Sequence, residues 1–211
     1  MSLPQSPLYA ITDGRLLPGE KLFSGVAAAL DGGCRWVQYR DKSGDAQKRL
    51  CEAAKLMELC VAAGAQLIIN DDPQLAFQLG AGVHLGQGDA DPAQARELLG
   101  PEAIIGVTCH DSLAFAQKAV EQGASYLAFG RFFPSNTKPD APPAPLSLLN
   151  EVRQRWPHHT LVAIGGIHLG NGEEVLAAGA DMLAVSEGLF AAEDIRERSR
   201  AFAALLRPSR N

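Results

Sequence analysis

Along the chain a stretch with helical spacing repeatedly closes on Gly-Ala or Gly-Cys, one residue follows, and a short apolar run begins. Gly33-Cys34 precedes residues 36–40, Gly64-Ala65 precedes 67–70, and Gly80-Ala81 precedes 83–86; Gly123-Ala124 precedes 126–130, and Gly179-Ala180 precedes 182–186. Glycine just past a helix takes the left-handed conformation that ends it. The apolar runs are too short for helices and rich in Val, Ile and Leu, as befits strands buried on both faces. Further runs at 8–12, 104–109 and 161–165 bring the expected strands to eight.

Between the runs lie helix-like segments. In 45–63, Leu50, Ala53, Ala54, Met57 and Val61 recur at helical spacing, and similar segments cover 73–79, 92–99, 112–122, 146–156, 172–178 and 193–206. Strands alternating with helices through short turns predict an α/β fold, a single (β/α)8 TIM barrel formed by one domain over residues 1–211. An open doubly wound sheet is the competing architecture, and no G-x-G-x-x-G follows the first strand to support it. One connection departs from the pattern. Residues 131–145 hold five prolines together with Ser135, Asn136, Thr137 and Lys138. A loop of that length in a compact domain reads as a lid or binding loop, with a plain connector as the alternative.

Composition narrows the partners. With 19 Lys and Arg against 24 Asp and Glu, the net charge is -5, which argues against nucleic acid or an anionic membrane. No basic region leads into an apolar core at the amino terminus, and no apolar run is long enough to span a bilayer, so a cytoplasmic location is expected. The four cysteines, Cys34, Cys51, Cys60 and Cys109, form no C-x-x-C pair and are expected as reduced, mostly buried thiols.

In such barrels chemistry collects where the strands end. Here those ends carry Thr12-Asp13, Gln38/Arg40/Lys42, Asn70-Asp71-Asp72, His84 with Gln87 and Asp89, Thr108/His110, Gly130, Gly165-Gly166 and Val185-Ser186. Gln38, Arg40 and Lys42 are two apart, so in an extended strand an amide and two cations would share a face. A phosphate or diphosphate suits them, because Arg offers a planar fork and Lys a compact charge. A charged surface turn with Asp41 and Asp45 as partners explains them equally well. Asp71 and Asp89 follow adjacent strands, so their carboxylates can converge as a magnesium site completed by phosphate oxygens and water. Helix capping and a Gly88-Asp89 turn are the structural alternatives; Asp72 is expected to cap the helix beginning at Pro73. Gly165, Gly166, Val185 and Ser186 leave room for a backbone-lined phosphate site, or simply make tight turns. Among the histidines, His84 reads as structural and His110 as able to face the same cavity as Thr108, with Cys109 on the opposite side.

Seven motifs stand in register: Tyr9-Ala10-Ile11-Thr12-Asp13, Val37-Gln38-Tyr39-Arg40-Asp41-Lys42, Leu67-Ile68-Ile69-Asn70-Asp71, Val83-His84-Leu85-Gly86-Gln87-Gly88-Asp89, Gly106-Val107-Thr108-Cys109-His110, Phe133-Pro134-Ser135-Asn136-Thr137-Lys138 and Ala163-Ile164-Gly165-Gly166-Ile167. In these the chain resembles the thiamine-phosphate synthase (thiamine-phosphate pyrophosphorylase) family over nearly its whole length. The resemblance implies a transferase of thiamine biosynthesis that joins hydroxymethylpyrimidine diphosphate to a thiazole phosphate, or its carboxylate, releasing pyrophosphate. It implies that Gln38, Arg40, Lys42 and Asn70 hold the pyrimidine diphosphate, that Asp71 and Asp89 carry Mg2+, and that Thr108 lies beside the pyrimidine. Ser135, Thr137 and Lys138 belong to the lid, with Lys138 on the diphosphate, and Gly165, Gly166, Val185 and Ser186 hold the thiazole phosphate. Arg40, Lys42, Thr108 and Lys138 are then the catalytic set.

Several positions depart from the family pattern. Thr108 and Ser135 exchange one hydroxyl residue for the other, Asp72 stands for a frequent Arg, Arg131 for a frequent Pro, and Glu187 for a small residue. Two other readings compete with the synthase. A thiazole tautomerase of the same fold would lack the basic triplet and the carboxylate pair, and a non-catalytic phosphate-ligand sensor would release no pyrophosphate. The oligomeric state is open, a homodimer included.

Overall fold

The computed structural model describes residues 6–134 and 144–205. Eight parallel strands close into a barrel in strict chain order, with β1 (Leu8–Ile11) paired to both β2 (Trp36–Tyr39) and β8 (Met182–Val185). Between them run β3 (Gln66–Asn70), β4 (Gly82–Leu85), β5 (Ile105–His110), β6 (Tyr126–Phe129) and β7 (Thr160–Ile164). Each strand lies within a residue or so of the run expected for it. All five glycines that close the helices ahead of strands adopt positive φ, between 62° and 115°, the left-handed region their pattern requires.

The helices wrap the outside: α1 (Lys21–Asp31), α2 (Ala46–Ala62), α3 (Pro73–Leu79), α4 (Pro92–Leu99), α5 (Leu113–Glu121), α6 (Ser147–Arg155), α7 (Leu169–Ala177), α8 (Glu187–Phe190) and α9 (Ile195–Ala203). Asp45, Asp72, Asp91, Ser112 and Asp194 cap five of them by accepting a hydrogen bond from a first-turn amide, so each connection at the strand ends turns sharply into its helix. Two helices stand outside the sequence expectation: α7 begins earlier, at Leu169, and the four-residue α8 follows directly on β8. Among the described residues no helix is long and apolar enough to cross a membrane.

Alternation along the strands divides the core in two. Val37, Ile69, Val83, Val107, Leu127, Leu161 and Leu183 face the helices, whereas Tyr9, Trp36, Ile68, Tyr126, Val162 and Met182 fill the barrel. Tyr9, Trp36 and Tyr126 meet edge-to-face with ring centroids 5.5 to 5.9 Å apart, an arrangement aromatic quadrupoles favour. These rings plug the barrel, so the groups at the strand ends stand over a solid floor. Cys34, Cys60 and Cys109 are buried thiols and Cys51 is exposed. Cys109 packs toward the helices while Thr108 faces inward, as alternation requires.

Candidate active site

The corner formed by β2, β3 and β4 gathers the charges. β2 ends at Tyr39, and the backbone N–H of Arg40 donates to Thr12 Oγ1 at 2.9 Å, tying the first two strand ends together. The surface-turn alternative fails on its partners: Asp41 pairs with Lys48, and Asp45 caps α2. Arg40 makes no ion pair among the described residues. Its charge instead helps Arg15 hold the Asp13 carboxyl below the usual carboxylate range, the Arg15 hydrogen bond being the larger influence.

Beyond the strand Lys42 turns back and pairs with the Asp71 carboxylate. Asp71 sits at a left-handed φ of 66°, unusual for a residue with a Cβ, and its amide donates to the His84 carbonyl at 2.8 Å. Such strain is tolerated where surrounding bonds fix it, and it is common at functional sites. Asp89 reaches the same point from the β4 end, with Oδ2 accepting the Gly86 amide at 2.7 Å; a Cβ on Gly86 would lie 2.8 Å from that oxygen. The two carboxyls lie close enough to shift each other. Burial opposes the Asp71 charge, but Lys42 and the neighbouring Asp89 outweigh it and hold Asp71 below the ordinary value; burial and the neighbouring Asp71 push Asp89 up. Beside them Lys42, Arg49, Asn70, Asp71 and Asp72 line a depression of about 330 Å3. Asp72 caps α3 as expected, and pairs with Arg49 at 3.0 Å.

Inside the mouth a chain of side chains crosses the barrel. Gln38 Nε2 donates to Tyr9 Oη at 2.9 Å, Tyr9 Oη bonds Tyr126 Oη at 2.8 Å, His84 Nδ1 bonds Tyr126 Oη at 2.8 Å, and His84 Nε2 bonds Thr108 Oγ1 at 2.8 Å. Gln38 is therefore a buried member of this chain, whereas Arg40 and Lys42 lie at the rim. Burial pushes the His84 pKa down to about 4, Asp71 opposing only in part, so the imidazole is neutral. His110 does not share the cavity. The β5–β6 register shifts between Thr108 and His110, His110 takes φ 53°, and its ring turns outward against Phe115 at 6.4 Å. Sequence reasoning missed Tyr9 and Tyr126, which look like ordinary strand aromatics; a hydroxyl on an inward-facing ring was the only signal.

At the ends of β7 and β8, Gly165 and Gly166 take φ of 101° and 64°. A Cβ on Gly165 would meet Arg131 Cα at 2.7 Å, and one on Gly166 would meet the Pro134 carbonyl at 2.3 Å, while the amides of Phe132 and Phe133 donate to Ile164 and Gly165 carbonyls. These glycines thus have a structural reason: the first residues of the 131–145 loop run against them. Asn171 Nδ2 donates to the Gly166 carbonyl at 3.0 Å and pins the turn. Alongside, Val185 ends β8 and Ser186 caps the short α8 without a side-chain bond. The Ser186 hydroxyl oxygen is buried with no partner among the described residues. Glu187 is exposed in the first turn of α8. Ser135, Thr137 and Lys138 lie outside the described residues, as does most of the 131–145 loop.

Comparison with known proteins agrees with this fold. The family model described as thiamine monophosphate synthase matches residues 8–189. A thiamine phosphate pyrophosphorylase from Pyrococcus furiosus is 33% identical, superposes with a TM-score of 0.85, and is covered over 94% of each chain. An orotidine 5'-phosphate decarboxylase from Pyrococcus horikoshii, at 16% identity and a TM-score of 0.67 over 92% of this chain and 97% of its own, shares the barrel alone. Barrel, strand-end motifs and family match coincide over the same span, and the chain belongs to the thiamine monophosphate synthase family, an enzyme of the transferase class.

Proposed function

We propose that the protein condenses hydroxymethylpyrimidine diphosphate with a thiazole phosphate, forming thiamine phosphate and pyrophosphate with the help of magnesium. The observation that carries this reading is the convergence of Lys42, Asp71 and Asp89 at the strand-end rim, where Arg40 makes no ion pair among the described residues. Two neighbouring carboxylates would repel a diphosphate unless a cation lay with them. Their all-oxygen donor set suits magnesium, with phosphate oxygens and water completing the octahedron. Among the described residues no group of three or more His, Cys, Asp or Glu side chains is arranged to hold a metal alone, which fits an ion shared with substrate. When bound, magnesium would neutralise part of the diphosphate charge.

Arg40 and Lys42 bind and orient the leaving diphosphate, so that the bond from the pyrimidinylmethyl carbon to oxygen breaks early and charge builds where cations await it. Asn70 faces the same depression, and Lys138 is assigned to the diphosphate as part of the lid. Thr108, Gln38 and the aromatic floor hold the pyrimidine, while Gly165, Gly166, Val185 and Ser186 hold the thiazole phosphate. The buried unpartnered hydroxyl of Ser186 fits a phosphate oxygen. The thiazole nitrogen then attacks the pyrimidinylmethyl carbon. Positioning and electrostatics supply the acceleration, and no protein nucleophile is required.

Pyrophosphate release measured with each substrate alone and with both tests the proposal. Release only when both substrates and magnesium are present is expected. Isomerisation of the thiazole without pyrophosphate would indicate a tautomerase, and binding without turnover a sensor.

A further inference from the structure

The chain from Gln38 to Thr108 holds more information than four bond lengths. Each hydroxyl in it has one proton to give, and a His84 donating from both nitrogens would force Tyr126 to donate to Tyr9, so His84 carries one N–H and the bonds run in a single direction unless a proton is stranded. Gln38 offers an N–H to Tyr9. If Tyr126 also donated to Tyr9, the Tyr9 proton would have no acceptor, and Tyr9 is only 1% exposed. A buried donor without a partner is costly. The remaining order satisfies every group: Gln38 N–H to Tyr9, Tyr9 O–H to Tyr126, Tyr126 O–H to His84 Nδ1, and His84 Nε2–H to Thr108 Oγ1. Thr108 then accepts from within. Its own proton has no other partner among the described residues and is free for the mouth.

We propose that Gln38 acts on Thr108 at a distance. The orientation of its amide, carried through Tyr9, Tyr126 and His84, makes Thr108 a hydrogen-bond donor to the ligand. Tyr9, Tyr126 and His84 are positioning residues in this scheme. They touch no reacting atom, and they fix which way the Thr108 hydroxyl points. Reversing the polarity at Gln38 reverses all four bonds, after which Thr108 donates inward and has only lone pairs to offer. The ligand group opposite Thr108 is therefore an acceptor, such as an aromatic ring nitrogen with an in-plane lone pair. That it belongs to a pyrimidine rests on the proposed reaction; the polarity of the chain does not.

The tautomer of His84 reports the polarity directly, because the bond made by one ring nitrogen decides which nitrogen keeps the proton. Nitrogen-15 spectra of the substrate-free protein, with the His84 signals assigned by their loss in His84→Gln, are expected to show Nε2 protonated and Nδ1 bare. In Gln38→Glu at pH 9 the carboxylate can only accept from Tyr9, so the proton is expected to move to Nδ1. Adding Tyr126→Phe, which keeps the ring but removes the link, is expected to return it to Nε2. A wild-type His84 protonated on Nδ1, or an unchanged tautomer in folded Gln38→Glu, overturns the inference. Should Gln38→Glu fail to fold, the wild-type tautomer decides alone. No substrate enters these spectra, so a failure here is distinct from a failure to release pyrophosphate.

Discussion

Gly106 and Tyr126 sit side by side on β5 and β6, and a Cβ on Gly106 would lie 1.9 Å from the Tyr126 ring. The glycine is what lets the phenol cross the barrel to reach both Tyr9 and His84. Gly106→Ala must therefore push the ring aside, and overpacking of this kind costs about 1–3 kcal/mol. A lowered midpoint in thermal or urea unfolding is expected, together with a loss of turnover larger than the stability change explains. Unaltered stability would show that the ring has room to move.

His84 makes folding depend on pH. Its folded pKa of about 4 lies below the ordinary value of 6.5, so the unfolded chain binds the extra proton between those limits. Stability from this group is then complete above about pH 6.5 and is lost as the pH falls toward 4. For a fully buried imidazole the loss amounts to about 3 kcal/mol. Carboxylates contribute over the same range, so the comparison is with His84→Gln. The variant should lose less stability than wild type between pH 7 and pH 4.5 in urea unfolding, and parallel curves would contradict the buried neutral imidazole.

The basic pair at the rim is expected to act on the diphosphate and to leave the fold alone. A charged hydrogen bond of the kind Arg40 offers is typically worth about 1.5–3 kcal/mol, so Arg40→Ala should reduce kcat/KM roughly ten- to a hundredfold. Lys42 is more exposed, its side chain 57% accessible, and its ion pair is more screened by water. Lys42→Ala should cost less. Steady-state kinetics against unchanged circular dichroism is the measurement, and wild-type kinetics in both variants would remove this corner from the site.

Ser186 offers a sharper separation of binding from stability. An unpartnered buried hydroxyl does not stabilise the free protein, so Ser186→Ala should unfold at the same temperature or slightly higher. If the hydroxyl meets the thiazole phosphate, KM for that substrate rises several-fold while KM for the diphosphate substrate stays put. A fall in stability with no change in KM would make Ser186 a structural residue of α8.

The fold was legible because its signals are local. Apolar runs buried on both faces and glycines closing helices at positive φ recur wherever a strand begins, and no long-range knowledge is needed to read them. The charged corner was legible for a similar reason: Asp71 and Asp89 follow adjacent strands, and adjacency in a barrel follows chain order. What escaped depends on the closed geometry. Period-two alternation allowed His110 to face the cavity, but the bulge after Thr108 rotates it out. A structural reason for Gly165 and Gly166 also escaped: the backbone of Arg131 to Pro134 lies where their side chains would be. The contact between Tyr9 and Tyr126 spans 117 residues and exists only because the barrel brings β1 and β6 face to face across its axis.

The carboxylate pair gives the most decisive test. Asp89 is pushed up by burial and by Asp71, while Asp71 is held down chiefly through Lys42 against its own burial, so a proton competes for Asp89 more readily than for an isolated carboxylate. A divalent ion would favour both carboxylates charged and compete with protons for them, which makes metal binding weaken as the pH falls. Chelation should abolish pyrophosphate release and magnesium restore it, with manganese able to substitute because every donor is oxygen. Asp71→Asn and Asp89→Asn should each raise the magnesium concentration needed for half-maximal activity. Asp71→Asn also removes the charge that holds Lys42, so it should be the more severe of the two. Neither belongs to the packed core, so thermal unfolding should change little. Full activity in chelator, or a wild-type magnesium requirement in both variants, would rule out the shared ion and leave Arg40 and Lys42 as the groups facing the diphosphate.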